Sequence, residues 1–232
     1  MITDQYIVYG GQYTRTGLVL MVLDYAQLNY RVELLDLAAG EHKSPDFLKL
    51  NPAGFVPAMQ LPDGEVMHET PAIMLYLAET HGLAELLPEP GARDRAQFLT
   101  GLFFCTNDIQ PEIKRYYFPA RYAESEDAAP AIHAQALAML MERFGVLERR
   151  LLDHKFYLGD RFSMVDLIIA FWATSVFPRA QFVDACPALG RHAERVGLCS
   201  HVFARHIGDH SVASERYWRE RLPHQHRIEE EH

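Results

Sequence analysis

The chain has 232 residues, 49% of them apolar, which is enough to bury the core of one large domain or two modest ones. Its 22 Lys and Arg against 31 Asp and Glu give a net charge of −9, and it has no basic run, so nucleic acid is a poor candidate partner. No segment approaches about eighteen uninterrupted apolar residues, and the N-terminus lacks a signal-peptide pattern. We therefore expect a soluble, cytoplasmic protein that does not associate with a membrane.

Neither the cysteines nor the histidines form a metal or disulfide pattern. Cys105, Cys186 and Cys199 are an odd number and form no CxxC pair, so neither a disulfide framework nor a zinc site is expected. Half of the twelve histidines crowd the C-terminal end without a cysteine or carboxylate partner at ligand spacing. These are His201, His206, His210, His224, His226 and His232. We expect solvated surface histidines and no metal site.

The first forty residues predict a βαβ unit. Residues 6–9 are a short β-rich run closed by Gly10-Gly11, and a helical pattern follows from about 17 to 28. Alternation over 31–37 predicts a second strand. Because the two strands are joined through a helix, we expect them to be parallel with a right-handed crossover.

Residues 40–82 carry the densest set of signals. Ser44-Pro45 predicts a short helix, and two short strands flank the turn at 62–64. Val56-Pro57 lies between β-like runs, where proline marks an edge, a bulge or a turn, and a cis bond would mark a shaped site. In the helix that follows, Thr70 fits the N-cap, Pro71 the first helical position and Gly82 the C-cap.

Three elements of this stretch resemble the glutathione transferase family. They are Gly40-Glu41-His42-Lys43, then Asn51-Pro52-x-Gly54-x-Val56-Pro57, then Glu69-Thr70-x-Ala72-Ile73-x-x-Tyr76-Leu77. The first is most similar to the plant-type (phi) pattern. The resemblance implies an α+β fold, with a thioredoxin-like domain over 1–82 and an all-α helical bundle over 92–232.

The remainder of the chain is consistent with that division. Residues 83–91 are rich in proline and glycine, which indicates a linker. After this segment the sequence shows no convincing strand pattern. We predict one helix over 93–117, bent where Pro111 interrupts it, and another over 128–152. Ser163 and Asp166 form a capping box that needs no chemical role. Beyond Pro187 we expect short helical pieces to about 206, a mixed segment around 217–218 and a charged, disordered tail over 222–232.

The resemblance also implies where glutathione is held. Glu69 and the N–H groups at Thr70 would hold the γ-glutamyl end, and the Val56 backbone, exposed by a cis Pro57, would pair with the cysteinyl unit. His42 and Lys43 would face the glycine carboxylate. Taken alone, Glu69 could simply interact favourably with the helix dipole, and His42 and Lys43 could belong to a solvated loop. Because these residues occur together with the Val56-Pro57 element, we favour the glutathione site. The predicted glutathione residues are His42, Lys43, Phe55, Val56, Pro57, Glu69 and Thr70.

The thiol of glutathione needs a donor that favours its ionised form, and here the chain departs from the family pattern. Tyr13 stands where the phi-like pattern has serine, Thr14 follows it, and Tyr9 stands where tyrosine-dependent classes carry their hydroxyl. We favour Thr14 over Tyr13 as the catalytic hydroxyl, with capping of the first helix by Thr14 or Thr16 as the alternative. No cysteine lies nearby, so the cysteine-dependent branches of the family are not expected.

For the co-substrate, the resemblance implies a pocket between the two domains. Its predicted residues are Tyr116, Tyr117 and Trp172, with Phe104 and Asn107 as further candidates. Aromatic residues at helical spacing are also typical of a helical core, and that alternative stays open.

The function implied is conjugation of glutathione, as co-substrate, to a small apolar electrophile, as in detoxification, by a homodimer. The alternatives are a protein of the same fold that binds glutathione with little or no turnover, and a dimerising scaffold without a ligand. The intact sequence elements at 40–43, 56–57 and 69–70 argue against the last.

Overall fold

The computed structural model describes residues 5–11 and 14–221. The chain divides into two compact units, an N-terminal unit over 1–87 and a helical unit over 88–232. The division falls inside the linker predicted over 83–91.

The N-terminal unit has the predicted thioredoxin-like order. A four-stranded sheet has the order β2-β1-β3-β4, with β1 and β2 parallel and the pairs β1–β3 and β3–β4 antiparallel. The elements in chain order are β1 (Tyr6–Gly10), α1 (Thr16–Tyr25), β2 (Tyr30–Leu34), α2 (Pro45–Leu50), β3 (Ala58–Gln60), β4 (Val66–His68) and α3 (Thr70–Thr80). A short 3-10 turn covers Glu41–Lys43.

Local signals explain most of these boundaries. Ser44 caps α2 by accepting a hydrogen bond from the Phe47 N–H at 3.3 Å. The C-cap of α3 is His81, one residue before the predicted Gly82. Gly82 follows at φ +64° and turns the chain away from the helix, because glycine adopts this left-handed conformation without strain. In contrast, α1 ends at Tyr25 and not near 28. There Gln27 turns to φ +53°, and the Leu28 N–H bonds to Leu23 O.

The helical unit contains no β-strand among its described residues, only isolated bridges at Phe156–Gly159 and Leu158–Arg161. Its helices are α4 (Arg95–Phe104), α5 (Gln110–Tyr117), α6 (Ala129–Leu152), α7 (Met164–Ala173), α8 (Arg179–Ala185), α9 (Pro187–Cys199) and α10 (His201–Arg221). The single helix predicted over 93–117 is interrupted by a π-helical turn over Cys105–Ile109. Pro111 explains this, because it has no N–H to continue the helical hydrogen bonding.

The centre of the helical unit is α7, all of whose residues are buried. The predicted capping box is present, and Asp166 accepts hydrogen bonds from the N–H groups of Ser163 at 2.9 Å and Tyr157 at 2.7 Å. The same carboxylate lies 2.9 Å from Nε2 of His192, which is also fully buried. The box therefore stabilises the fold.

Two expectations for the C-terminal region are wrong. Residues 201–221 form one long helix, and His210 is buried and not solvated. The buried face of α10 mixes Phe203 and Ile207 with His210 and Ser214, so an apolar stripe is hard to recognise in the sequence. The tail predicted over 222–232 lies outside the described residues.

No helix among the described residues is long and apolar enough to cross a membrane. No group of three or more His, Cys, Asp and Glu side chains in residues 5–11 and 14–221 is arranged to hold a metal ion.

Candidate functional site

The pairing of the strands brings the predicted glutathione residues to one edge of the sheet. Ala58, the first residue of β3, pairs with His68 at the end of β4 and with Tyr9 near the end of β1. The residues just beyond these pairs are therefore neighbours: Val56-Pro57 before β3, Glu69-Thr70 after β4, and the turn that leads into α1. The end of β2 lies at the same edge, because Leu34 pairs with Gly10.

Val56 presents a backbone suited to an extended ligand. The Val56-Pro57 bond is cis, as predicted, and the Val56 side chain packs against Phe47 and Ala58. Its N–H has no hydrogen-bond acceptor among the described residues. Its carbonyl oxygen accepts one bond and, having two lone pairs, can accept another. This backbone can pair with a peptide in the manner of a β-strand.

Glu69 and Thr70 begin α3 in an unusual way. Glu69 is the N-cap, at φ +72°, and its side chain is exposed. Thr70 is already helical, so its prediction as the N-cap is wrong by one residue. Its hydroxyl is buried and has no hydrogen-bond partner in the part of the chain that the structure describes. An exposed carboxylate, a buried hydroxyl and the free N–H groups of a helix start suit a ligand that carries both ammonium and carboxylate.

The loop over 51–55 is braced from within. Asn51 donates from Nδ2 to Phe55 O at 2.8 Å and accepts at Oδ1 from the Ala53 N–H at 3.1 Å. Lys43 donates to Ala53 O at 3.1 Å and lies over the Phe55 ring at 4.9 Å. Gly54, at φ +61°, makes this approach possible, since a Cβ there would lie 2.7 Å from Lys43 Nζ. The predicted motif at 40–43 therefore contacts the predicted motif at 51–57.

The hydroxyl of Thr14 makes hydrogen bonds within the turn before α1. It donates to Gly11 O at 3.0 Å, contacts the Thr16 hydroxyl at 2.8 Å and accepts from the Thr16 N–H at 3.2 Å. Tyr13 lies outside the described residues. The hydroxyl of Tyr9 has Gln60 Oε1 as its partner at 3.5 Å. The N-cap of α1 is Arg15, which makes no side-chain cap bond, so the predicted capping by Thr14 or Thr16 is wrong by one residue. The role of Thr14 toward a thiol stays a prediction.

Arg15, which belongs to none of the predicted motifs, also reaches this edge of the sheet. Its Nη2 donates to Val56 O at 3.2 Å. Burial lowers the pKa of the Arg15 guanidinium, and the nearby Glu69 carboxylate opposes that effect. Nothing in the residue pattern signals this contact, because it joins positions separated by 41 residues.

The predicted co-substrate residues have partners inside the helical unit. Tyr116 is fully buried, and its hydroxyl donates to Phe177 O at 3.1 Å. The Tyr117 hydroxyl donates to Ser175 O. Trp172 is buried, and its indole N–H has no acceptor among the described residues. Core packing accounts for Tyr116, and the place of all three in a co-substrate pocket stays a prediction.

Two family models and a relative from rice match this chain. Residues 18–80 match the family model for the N-terminal domain of glutathione S-transferases, and residues 105–197 match the model for the C-terminal domain. A probable glutathione S-transferase of rice (Oryza sativa subsp. japonica), GSTF2, is 31% identical over 172 residues, which are 72% of this chain and 79% of the rice protein.

Solved structures share the fold over most of the chain. The glutathione transferase URE2P8 of Phanerochaete chrysosporium, determined with oxidized glutathione, is 22% identical with a TM-score of 0.78, covering 92% of this chain and 98% of that one. Ure2p in complex with glutathione is 19% identical with a TM-score of 0.77, covering 88% and 98%. At these identities the likeness supports the fold alone. Taken with the two matched domains and the rice relative, it places this chain in the glutathione S-transferase family.

Proposed function

We propose that this protein binds glutathione at the sheet edge of its N-terminal unit and transfers it to a small apolar electrophile. The convergence of three features supports this. Among the described residues, the Val56 N–H beside the cis proline and the buried Thr70 hydroxyl have no hydrogen-bond partner, and Glu69 is exposed at a positive φ. Together they offer the acceptors and donors that a γ-glutamyl-cysteinyl peptide requires.

Each part of glutathione has its own partners in the proposal. The Glu69 carboxylate holds the α-ammonium group, and Thr70 holds the α-carboxylate. Val56 pairs with the cysteinyl unit next to Pro57, while His42, Lys43 and the loop at Phe55 face the glycine carboxylate. Tyr116, Tyr117 and Trp172 of the helical unit are proposed for the electrophile.

The reaction begins with ionisation of the thiol. A free thiol with a pKa near 8.5 is only a few per cent ionised at neutral pH, and lowering that pKa by about two requires roughly 2.7 kcal/mol of preferential thiolate stabilisation. The proton leaves to solvent, and a sulfur lone pair forms the new C–S bond. In a displacement the leaving group departs with its bonding pair. In an addition the electrophile takes up a proton. Thr14 is the proposed hydroxyl donor to the sulfur.

A glutathione-binding protein with little or no turnover is the second candidate. The bonds of Thr14 within its own turn favour it, because a hydroxyl that donates to Gly11 O must give up that bond to serve a thiolate. The likeness to Ure2p is compatible with either candidate.

Binding is tested first. We expect Glu69→Gln to weaken glutathione binding about tenfold or more, since it removes a charge-assisted contact worth roughly 1.5–3 kcal/mol. Calorimetry measures the affinity, and Glu65→Gln, an exposed carboxylate in the preceding turn, is the matched control. Unchanged affinity in Glu69→Gln would show that the ligand assignment is wrong.

Turnover is tested with a panel of electrophiles. Conjugation of glutathione to any of them above the uncatalysed rate identifies a transferase. Binding without conjugation across aryl halides, activated alkenes and epoxides selects the second candidate. Failure to be retained on immobilised glutathione would exclude both.

A further inference from the structure

A groove in the helical unit is formed by residues of α8, α9 and α10 and by Thr174, the C-cap of α7. Its volume is about 790 Å³, and its lining is mainly apolar. Two of the lining side chains, Val183 and Leu198, are 36% and 87% exposed. Small-molecule sites are typically concave, mostly apolar cavities of about 300–1,000 Å³ with a few placed polar groups. The groove has the size and the lining of such a site.

The glycines that line the groove differ in what surrounds them. Gly197 lets α9 approach α10, since a Cβ there would lie 3.6 Å from the Cβ of Ala204, and a Cβ on Gly190 would lie 3.2 Å from Val183. Gly208, inside α10, has no such neighbour, because a Cβ there would meet no described atom within 4 Å. The missing side chain at Gly208 leaves this part of the groove open, and a long side chain there would fill it.

The polar groups of the groove gather where α7 ends. The Arg179 guanidinium donates to Ala173 O, and the Ser211 hydroxyl donates to Thr174 O at 3.3 Å. Arg179 also lies over the Phe182 ring at 5.0 Å. The two carbonyl oxygens at the end of α7 therefore already accept hydrogen bonds from side chains of α8 and α10.

Arg179 has donors to spare and no carboxylate beside it. A guanidinium carries five N–H donors, and within residues 5–11 and 14–221 Arg179 makes one hydrogen bond and no ion pair. Burial lowers the pKa of this guanidinium, so the cation is partly withdrawn from water. Of the other lining residues, Arg191 adds a second positive charge and Glu194 a negative one. A half-buried cation in an apolar groove favours an anion as its partner.

We propose that this groove binds an amphipathic carboxylate, a small molecule with an apolar body and one carboxylate group. The carboxylate accepts hydrogen bonds from the unused N–H groups of Arg179, a pairing that suits the planar guanidinium. The apolar body lies along α9 and α10, over Gly208. Because the cation is half-buried where α7 ends, a charged end must enter the groove to reach it, which favours a small molecule over a protein partner. None of these residues belongs to the proposed glutathione site, so the inference does not rest on the proposed function.

Calorimetry with octanoate tests the site, and 1-octanol is the uncharged probe of the same chain length. We expect octanol to bind about tenfold or more weakly than octanoate, because it lacks the charge-assisted contact. Arg179→Gln should lower the affinity for octanoate about tenfold or more and leave that for octanol within about twofold. Arg216→Gln removes an exposed charge from α10 outside the groove and should change neither affinity.

Gly208 provides a test that leaves Arg179 in place, and it decides the matter if Arg179→Gln does not fold. Gly208→Met puts a long side chain into the groove, so it should lower the affinity for octanoate about tenfold or more. Gly208→Ala adds only a methyl group and is the matched control, with an affinity within about twofold of the wild type. Both variants should fold, since each replaces a glycine inside a helix by a better helix former.

The outcomes that would overturn the inference differ from one another. If the wild type binds no octanoate, the groove is not a carboxylate site and a protein partner becomes the better occupant. Equal affinities for octanoate and octanol would show that the carboxylate is not recognised. Unchanged octanoate affinity in Arg179→Gln or in Gly208→Met would place the ligand elsewhere on the protein. Glutathione affinity should stay at the wild-type value in all of these variants, so the proposed function is judged separately.

Discussion

Glu69 and Asn51 illustrate two different reasons for a polar residue beside the candidate site. Asn51 is buried, and its amide is satisfied on both sides by the loop it braces. Glu69 is exposed and holds a positive φ, a conformation that costs a non-glycine residue about 1–3 kcal/mol. Glycine would remove that cost. The proposed contact of the Glu69 carboxylate with the ligand gives a reason for a charged side chain at this position.

Lys43 combines a structural role in the loop, like that of Asn51, with a proposed role in ligand binding, like that of Glu69. Its ammonium bonds to Ala53 O and lies over the Phe55 ring, so it supports the loop as well as adding a positive charge. A variant of Lys43 would therefore lower loop stability and ligand affinity together. Glu69 is the sharper probe of the ligand, because no described side-chain bond depends on it.

His210 gives the helical unit a dependence on pH. Its ring stacks on Phe171 at 3.5 Å, and its Nε2 lies 2.7 Å from the Ser175 hydroxyl, which donates to Phe171 O. Burial lowers the pKa of His210 to about 3, from an ordinary value of 6.5. The ring is therefore neutral in the folded protein over most of the acidic range, whereas in the unfolded chain it gains a proton below about 6.5.

We predict that acidification destabilises the protein through this histidine. Between about pH 6.5 and 3 the unfolded state binds a proton that the folded state does not, so the free energy of unfolding falls as pH falls, by up to about 1.4 kcal/mol per pH unit. Urea unfolding at several pH values gives the dependence of the free energy of unfolding on pH. For His210→Gln the slope of this dependence should be smaller than in the wild type, by the equivalent of nearly one bound proton. His201→Gln, an exposed histidine at the start of the same helix, should keep the wild-type slope. Equal slopes in all three proteins would contradict the prediction.

Among the helices, α9 begins without a cap of its own and is capped by another helix. Its N-cap residue, Cys186, makes no side-chain cap bond. The Glu148 carboxylate of α6 instead accepts from the N–H groups of Ala188 and Leu189, both at 2.8 Å. These bonds satisfy two of the free N–H groups of the helix start and place a negative charge at its positive end.

We predict that Glu148→Gln lowers the free energy of unfolding by about 0.5–2 kcal/mol, the range typical of a lost helix cap. The amide keeps one acceptor oxygen but loses the charge and the second acceptor. Thermal and urea unfolding measure the change. Glu142→Gln on the same helix is the control, because Glu142 is largely exposed and should change stability by less than about 0.5 kcal/mol. Equal stability of the two variants would contradict the capping role.

The sequence predicts elements whose causes are local. The βαβ unit, the hairpin around 62–64 and the capping box at Ser163 are all set by residues close to one another in the chain. Features that depend on contacts between residues far apart in the chain cannot be recognised in the sequence. Examples are the cap of α9 by Glu148, the burial of His210 on Phe171, and the reach of Arg15 to Val56. In the candidate site, the proposed anchoring residues lie in motifs that the sequence displays, whereas the contact of Arg15 with Val56 O requires the folded backbone.

As an assembly, the protein is predicted to be a two-fold homodimer in which each N-terminal unit packs against the helical unit of its partner. Family resemblance implies this pairing, and a closed symmetric pair is the commonest oligomer. Each unit exposes a large apolar side chain of the kind that such a contact buries. Phe55, on the loop of the N-terminal unit, is 51% exposed, and Phe103, on α4, is 55% exposed.

Sedimentation at micromolar concentration should give a mass close to twice the 26.5 kDa of one chain. Phe103→Ser removes an exposed ring without disturbing the buried face of α4, so it should weaken the dimer, raising its dissociation constant about tenfold or more. The variant should keep its helical content, and a dilution series would show monomer appearing at higher concentration than in the wild type. A wild-type mass near one chain would contradict the dimer. An unchanged dissociation constant for Phe103→Ser would retain the dimer but place its contact away from this face of α4.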